Sequence, residues 1–580
     1  MKKNFLITTN IDQVDSKKYN KSFLGYHCIS EEKFSKKFVK NILSDKTNYK
    51  KILKNYWLIQ KLSNELLKLI TNRLKVIHDN KYDNKYWKTI LYPWICSYTS
   101  ICVNRWQTIE HLKSRFKKEY FSYHYILDKE ITIYSHSDFV EKSKTDIFNS
   151  DIFVKLIEYR DLKNILFIRK KIDKKNEIKN IQHDYKLKNI FISLYNKIIL
   201  FFNRIYFDKL WFPKKDFIKL CIKNFQIPSK NKNTLNIKSK NKLYDISQRE
   251  VLDFKIDNEI SLKNFILENI KFYMPLSYLE NFQDTRTKLK KYTKKRLIFS
   301  MSWFWWDDNF KIFLAESIIK GSKLINGLHG AGIHSKYSEN YTYFEDLSHK
   351  IFVWSKKNIT NKKSIYLCPT LPVTKKKREI DPTKFLINYY EPSKYMFKIT
   401  LDTGLENAIT NFNELLRATG KLKKTILKEV KFRSKGNYSI NSEKKFSEKF
   451  GLDKIENYRS KEYLDSISES RLVVCYYPQT SFTESIYLNV PTILITDINF
   501  FDNKVKKNIL KKFKHNNMFF NNTTDAFKFI NKNWFNLEEW WKSNKVQVSR
   551  KLFLDNFFDI KSDNLNDWQA FIKKELSKLR

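Results

Sequence analysis

The stretch Gly321 to Ser335 reads GSKLINGLHGAGIHS and holds four of the nine glycines in a chain of 580 residues. At its centre His329 stands beside Gly330 and Gly332, directly after the apolar run KLINGL. Glycines at a strand end let backbone N–H groups face an anion with no Cβ in the way. A histidine beside them can take a proton from a hydroxyl or donate to a phosphate. The plainer alternative is a turn in which Gly330 and Gly332 reverse the chain and His329 is a satisfied polar residue.

A second stretch with matching chemistry follows the apolar run RLVVCYY (Arg471 to Tyr477). Pro478-Gln479-Thr480-Ser481 there leads into SFTESIYL, whose spacing predicts a helix. Hydroxyls and free N–H groups at a helix start attract anions. Glu484, one turn on, either holds the hydroxyls of a ribose or closes a capping box with Ser481. Local sequence favours the cap. Arg433 and Lys435, in KFRSKG, add two cations that serve a phosphate or simply face solvent.

Counting glycines excludes several known sites. No two flank a serine at the spacing of a nucleophile elbow. Ser335 stands where a dinucleotide fingerprint needs its third glycine, and Ile333 where a P-loop needs lysine. No Asp-x-Asp occurs, which disfavours an Asp-bound metal. The six cysteines include no Cys-x-x-Cys pair and read as reduced thiols, not as a disulfide frame or zinc site.

Those motifs need a scaffold, and the composition provides for one. Apolar residues make up 42% and aromatics 16%, enough for packed cores, and the length implies more than one domain. The net charge of +48 points to polyanions, but the lysines are spread along the whole chain as AT-rich codons would spread them. The start, MKKNFLITTN, lacks the apolar core of a signal peptide. The longest uncharged run, Thr89 to Val103, is too short and polar for a bilayer span. A cytoplasmic protein is expected, with peripheral contact at the inner face of the membrane left open.

Along the chain, NFLITT near the start reads as a strand, and Ile52 to Ile77 as an amphipathic helix. Residues 160 to 260 give little pattern, and Ile227 to Lys242 reads as a solvated loop. RLIFSMS is a strand, Asp307 or Asp308 caps a helix that ends near Gly321, and KLINGL is the next strand. KIFVWS and SIYLCP follow. Beyond a proline-bearing connector (Pro369, Pro372, Pro382), RLVVCYY and VPTILIT are strands, and helices follow from Asn503 and from Thr524-Asp525. This alternation implies α/β architecture: two doubly wound, Rossmann-like domains facing a cleft, with extra helices in the N-terminal half.

The ordered motifs FLITTN, FLGYHC, YWKTILYPWI, KGSKLINGLHGAG, SESRLVVCYYPQTSFTESIYLNVPTIL and NLEEWWKSNKVQ resemble a bacterial family of transferases encoded in surface-carbohydrate (O-antigen-like) gene clusters. That family is similar to two-domain GT-B glycosyltransferases and, more distantly, to CDP-glycerol glycerophosphotransferases. This chain departs from it at Ala331, usually glycine, and at His27, usually tryptophan.

The resemblance implies cell-envelope biogenesis: transfer from a nucleotide-sugar donor to a glycan or lipid-linked acceptor, without metal or other cofactor. It implies His329 as catalytic base, with Gly330, Gly332, Arg433, Thr480, Ser481 and Glu484 as donor- or phosphate-binding residues. Residues 1–375 would form the acceptor-side domain, 390–550 the nucleotide domain and 551–580 a helical tail. Two rival readings are a basic nucleic-acid-binding protein and a non-catalytic scaffold in polysaccharide assembly; the family reading expects no specific nucleic acid.

Overall fold

The structure, a computed structural model, describes residues 2–12, 14–28, 42–43, 49–110, 112, 118–126, 131–171, 188–228, 235, 244–301, 303–327, 341–359, 361–369, 371–379, 382–395, 404–436, 439–501, 505–561 and 563–579. His329, Gly330, Ala331 and Gly332, and most of the loop expected over 227–242, lie outside them.

Strands run in chain order β1 (Lys3–Ile7), β2 (Tyr19–Phe23), β3 (Tyr120–Ile126), β4 (Ile165–Lys171), β5 (Ile205–Asp208), β6 (Leu297–Ser300), β7 (Lys323–Gly327), β8 (Lys350–Val353) and β9 (Ser364–Tyr366). Then come β10 (Lys384–Glu391), β11 (Val430–Gly436), β12 (Ser470–Cys475), β13 (Thr492–Ile495) and β14 (Phe519–Phe520). They form three parallel sheets ordered β2-β1-β3-β4, β5-β6-β7-β8-β9 and β11-β10-β12-β13-β14. The interior strands β6, β8, β12 and β13 are short and largely buried, as expected when helices cover a parallel sheet from two sides. The α/β expectation holds, and the two expected sheets are the second and third. The separate first sheet was not foreseen. β3 and β4 mix lysine and histidine with apolar residues and lack a clean period, so sequence pattern passes over them.

The uncharged run Thr89 to Val103 lies inside a helix, Asn84–Glu110, that is buried on nearly every side and carries Pro93 internally. It packs against Tyr49–Ile77, the expected amphipathic helix, which starts three residues earlier than its apolar spacing suggests. Among the described residues no helix is long and apolar enough to cross a membrane.

The helix Asp308–Ile318 shows which of two adjacent aspartates does which task. Asp307 is the N-cap, accepting from the Phe310 N–H at 3.0 Å. Asp308 is buried and pairs with Lys311 at 2.8 Å, while accepting from the Tyr278 hydroxyl at 2.7 Å and the His136 N–H at 2.9 Å. Such a fully connected polar cluster locks the helix behind the second sheet to the helices of the first. Gly321 (φ 90°) then turns the chain into β7.

Two long-range contacts set the sheets against one another. After β10, Lys394 reaches across to both carboxylate oxygens of Asp146, at 2.8 and 2.9 Å, beside the end of β1. The C-terminal helix Leu565–Ser577 returns to the second sheet. There Trp568 packs edge-on against Phe212 (ring centroids 5.1 Å) and Phe352 (5.3 Å) and donates from Nε1 to the Cys368 carbonyl at 3.0 Å. The tail therefore closes the middle of the chain as well as its end.

Candidate functional site

In the third sheet the chain steps from β10 to β11 on one side and then to β12 on the other, so the order reverses between β10 and β12. At such a switch point two connections leave in opposite directions and open a crevice at the carboxyl ends of the strands. Asn388 lies near the carboxyl end of β10, in register with Cys475 at the end of β12. Its Nδ2 donates to Ser481 Oγ at 3.0 Å. Ser481 is in the first turn of the helix Thr480–Tyr487, which leaves the turn after β12 with Gln479 as N-cap. The Tyr463 hydroxyl donates to the Ser481 carbonyl at 3.0 Å and lies 3.1 Å from Ser485 Oγ. A strand end, a neighbouring helix and an amide thus hold the helix start over the switch point. Beside it Tyr390 and Tyr477 stack with centroids 4.7 Å apart.

The expected capping box does not form. The helix begins at Thr480, so Ser481 is inside it, its Oγ accepts from Asn388, and no side-chain cap bond is made. The Gln479 N–H bonds the Tyr477 carbonyl at 2.9 Å, which tightens the turn and moves the helix start one residue ahead of the local signal. Glu484 is thereby released from capping. Its carboxyl has no hydrogen bond or ion pair among the described residues, and burial pushes its pKa up to about 8. It keeps partial exposure. Such a carboxyl is mostly protonated at neutrality, able to donate as well as accept a hydrogen bond.

Arg433 is placed on β11 and buried, with its guanidinium turned into the domain. It contacts Glu456 at 3.1 Å and donates to the carbonyls of Lys461 (2.9 Å) and Tyr458 (3.4 Å). Lys384 meets the same carboxylate at 3.0 Å. Burial alone would raise the Glu456 pKa, but the Ser466 hydroxyl and these two cations hold it below the ordinary value. Arg433 supports the β10–β11 edge from inside, whereas Ser481 stands at the switch point and Glu484 one turn along the same helix.

On the second sheet, the strand that leads to His329 ends at Gly327. A Cβ there would lie 1.9 Å from the Phe352 ring, so that strand end can carry only glycine. One further group at the carboxyl ends escaped sequence reading: Asp208, at the end of β5. It pairs in register with Ser300, which pairs with Asn326 on β7. Ser300 Oγ donates to Asp208 Oδ2 at 2.9 Å, and burial pushes the Asp208 pKa up to about 7, with Asp307 adding to the rise. The only signal was a four-residue strand, IYFD, in the stretch with little pattern. Among the described residues no group of three or more His, Cys, Asp or Glu is arranged to hold a metal ion.

His27, where the resembled family has tryptophan, sits between the rings of Phe153 (5.5 Å) and Tyr395 (4.9 Å). Its Nε2 is 3.1 Å from the Thr8 carbonyl. Burial, with the charges of Arg105 and Lys394, pushes its pKa down to about 3, so it serves as a neutral aromatic plate. That is a role a tryptophan shares.

Several solved structures match part of the chain. A Staphylococcus aureus MnaA–UDP co-structure matches at 10% identity and TM-score 0.32, covering 51% of this chain and 81% of that one. The pneumococcal O-GlcNAc transferase GtfA, in complex with UDP and GlcNAc, matches at 12% identity and TM-score 0.30, over 50% of this chain and 59% of that one. Acinetobacter baumannii MurG matches at 10% identity and TM-score 0.30, over 51% and 78%. At these TM-scores none of them carries weight for function. No curated protein matches the chain. A family model matches residues 4–572, nearly the whole length, and on that match the chain belongs to the LIC12162 family transferase group and is an enzyme of the transferase class.

Proposed function

We propose that this transferase moves a sugar or sugar-like group from a nucleotide-activated donor to a glycan or lipid-linked acceptor of a surface polysaccharide. The observation that supports this reading most is the helix start at Thr480–Ser481 held by Asn388 over the β10/β12 switch point. A diphosphate fits there, because free N–H groups and the positive helix end favour negative oxygens. Glu484, without a hydrogen-bond or ion-pair partner among the described residues, is the group to meet the ribose hydroxyls. The Tyr390–Tyr477 pair offers a flat surface for a base.

In this mechanism His329 accepts the proton of the acceptor hydroxyl as its oxygen bonds to the reacting carbon of the donor. The bond from that carbon to the diphosphate breaks, and the diphosphate leaves as an anion. Backbone N–H groups and the helix end stabilise the charge as it develops, with no metal required. Gly330 and Gly332 would bring backbone N–H groups close to the same oxygens.

A thermal-shift screen against UDP-, GDP-, CDP- and CMP-linked donors tests the binding step, since a bound donor raises apparent stability by mass action. One donor class should raise the melting temperature, and Glu484→Ala should abolish that rise. No shift with any donor would overturn the reading. With the donor known, His329→Ala should cut turnover by a factor on the order of 100 to 10,000 with donor affinity unchanged; unchanged turnover would remove His329 from the mechanism.

A further inference from the structure

Beside the second sheet an apolar patch stands exposed among the described residues. The helix Lys188–Phe202 runs into β5, and the helix Lys214–Lys223 runs back beside it, so both C-terminal ends meet at the amino end of that edge strand. Hydrogen bonds bind the two ends together. Asn203 Nδ2 donates to the Ile227 carbonyl and Asn203 Oδ1 accepts from its N–H, both at 2.9 Å, and Ile205 N–H donates to Gln226 Oε1 at 3.0 Å. The junction displays Phe201 (68% exposed), Phe202 (67%), Ile222 (63%) and Phe225 (97%). Single exposed apolar residues are ordinary; a cluster of aromatics is not.

Phe225 sharpens the point. It has φ 54°, a left-handed conformation that disfavours a bulky side chain and that glycine or asparagine adopts readily at a helix end. Folding gains nothing from a phenylalanine there, since the ring is in water. Its use lies outside the folded chain.

The surroundings say what covers it. Between Tyr195 and Pro228 the only acidic residues are Asp208 and Asp216, both buried, whereas Lys197, Arg204, Lys214, Lys215, Lys219 and Lys223 are exposed. The packed C-terminal helix adds an acid, the exposed Asp567 next to Asn566, the partner of Lys223. Aromatic rings in this mainly basic surround match an anionic bilayer surface, where rings enter the acyl boundary and ammonium groups stay among the headgroups. A second copy of the chain would bring two basic rims together, so charge opposes self-association through this face.

We propose that this face docks the protein on a membrane bearing anionic lipids. The patch lies at the amino end of β5 in the second sheet and shares no residue with the candidate donor site on the third. The inference does not depend on the donor chemistry proposed above.

The test is co-sedimentation of the full chain with phosphatidylglycerol-containing vesicles and with pure phosphatidylcholine vesicles. The wild type should bind the former and release with salt. Replacing Phe201, Phe202 and Phe225 by serine leaves the charge untouched and should weaken binding by a factor on the order of 100 or more, with melting temperature and donor shift unchanged. Lys197→Glu, Lys219→Glu and Lys223→Glu together should weaken it as well. Three results would overturn the proposal: no binding to anionic vesicles, wild-type binding by the serine variant (attachment by net charge alone), or a wild-type dimer in sedimentation velocity that the serine variant converts to monomer.

Discussion

Asn388 on β10 and Ser481 on the helix after β12 meet at 3.0 Å, across the point where the third sheet reverses its strand order. This bond sets where the helix start points. Asn388→Ala removes a half-buried donor and should cost about 1 kcal/mol of stability. If the helix start holds the donor diphosphate, the same change should weaken donor binding on the order of tenfold through misplacement of the first turn. Calorimetric titration with the donor found by screening checks this. Wild-type affinity in both Asn388→Ala and Ser481→Ala would show that the bond is structural only.

Glu484 predicts a pH signature. A carboxyl raised from 4.5 to about 8 by burial stays protonated in the folded protein over a range in which the unfolded chain has released its proton. Stability contributed by this group is therefore full at low pH and falls as pH rises from 4.5 to about 8. Glu484→Gln removes that fall. Its melting temperature should match the wild type below pH 4.5 and exceed it above pH 8, while donor affinity drops. A difference in melting temperature that is flat with pH would mean that the carboxyl is solvated.

Arg433 separates support from binding. Removing one member of a buried charge cluster leaves its partners uncompensated, so Arg433→Met should cost roughly 3 kcal/mol by denaturant unfolding, with Glu456 left to Lys384. The double change Arg433→Met with Glu456→Gln should recover part of that loss. Donor affinity in the double variant should stay near the wild type. A large further loss of donor binding would instead make Arg433 a direct phosphate ligand.

How much of this could be read ahead of the structure varies by element. β6, β7, β8, β12 and β13 are short apolar runs closed by turn residues, and each appears where its pattern puts it. β10, the strand that carries Asn388, reads KFLINYYE, half lysine, asparagine and tyrosine, and no local pattern marks it as central to a sheet. Glu484 was visible as a residue, but its freedom from the cap was not. That depends on where the helix begins, which the turn after β12 and the Asn388 bond decide. Asp208 went unseen because a four-residue strand gives too few positions to show a period.

By itself the order of residues determined the α/β class, the end-to-end family match and the concentration of glycines near His329, because periodicity, motif order and glycine placement are local properties that the chain carries before it folds. Only tertiary structure decided the separate first sheet, the reversal between β10 and β12, the inward pairing of Arg433, and the exposed rings of Phe201, Phe202 and Phe225. Each of those depends on which distant segments come together. Partners separated by tens to hundreds of residues set burial, charge compensation and exposure, and no window along the sequence contains them.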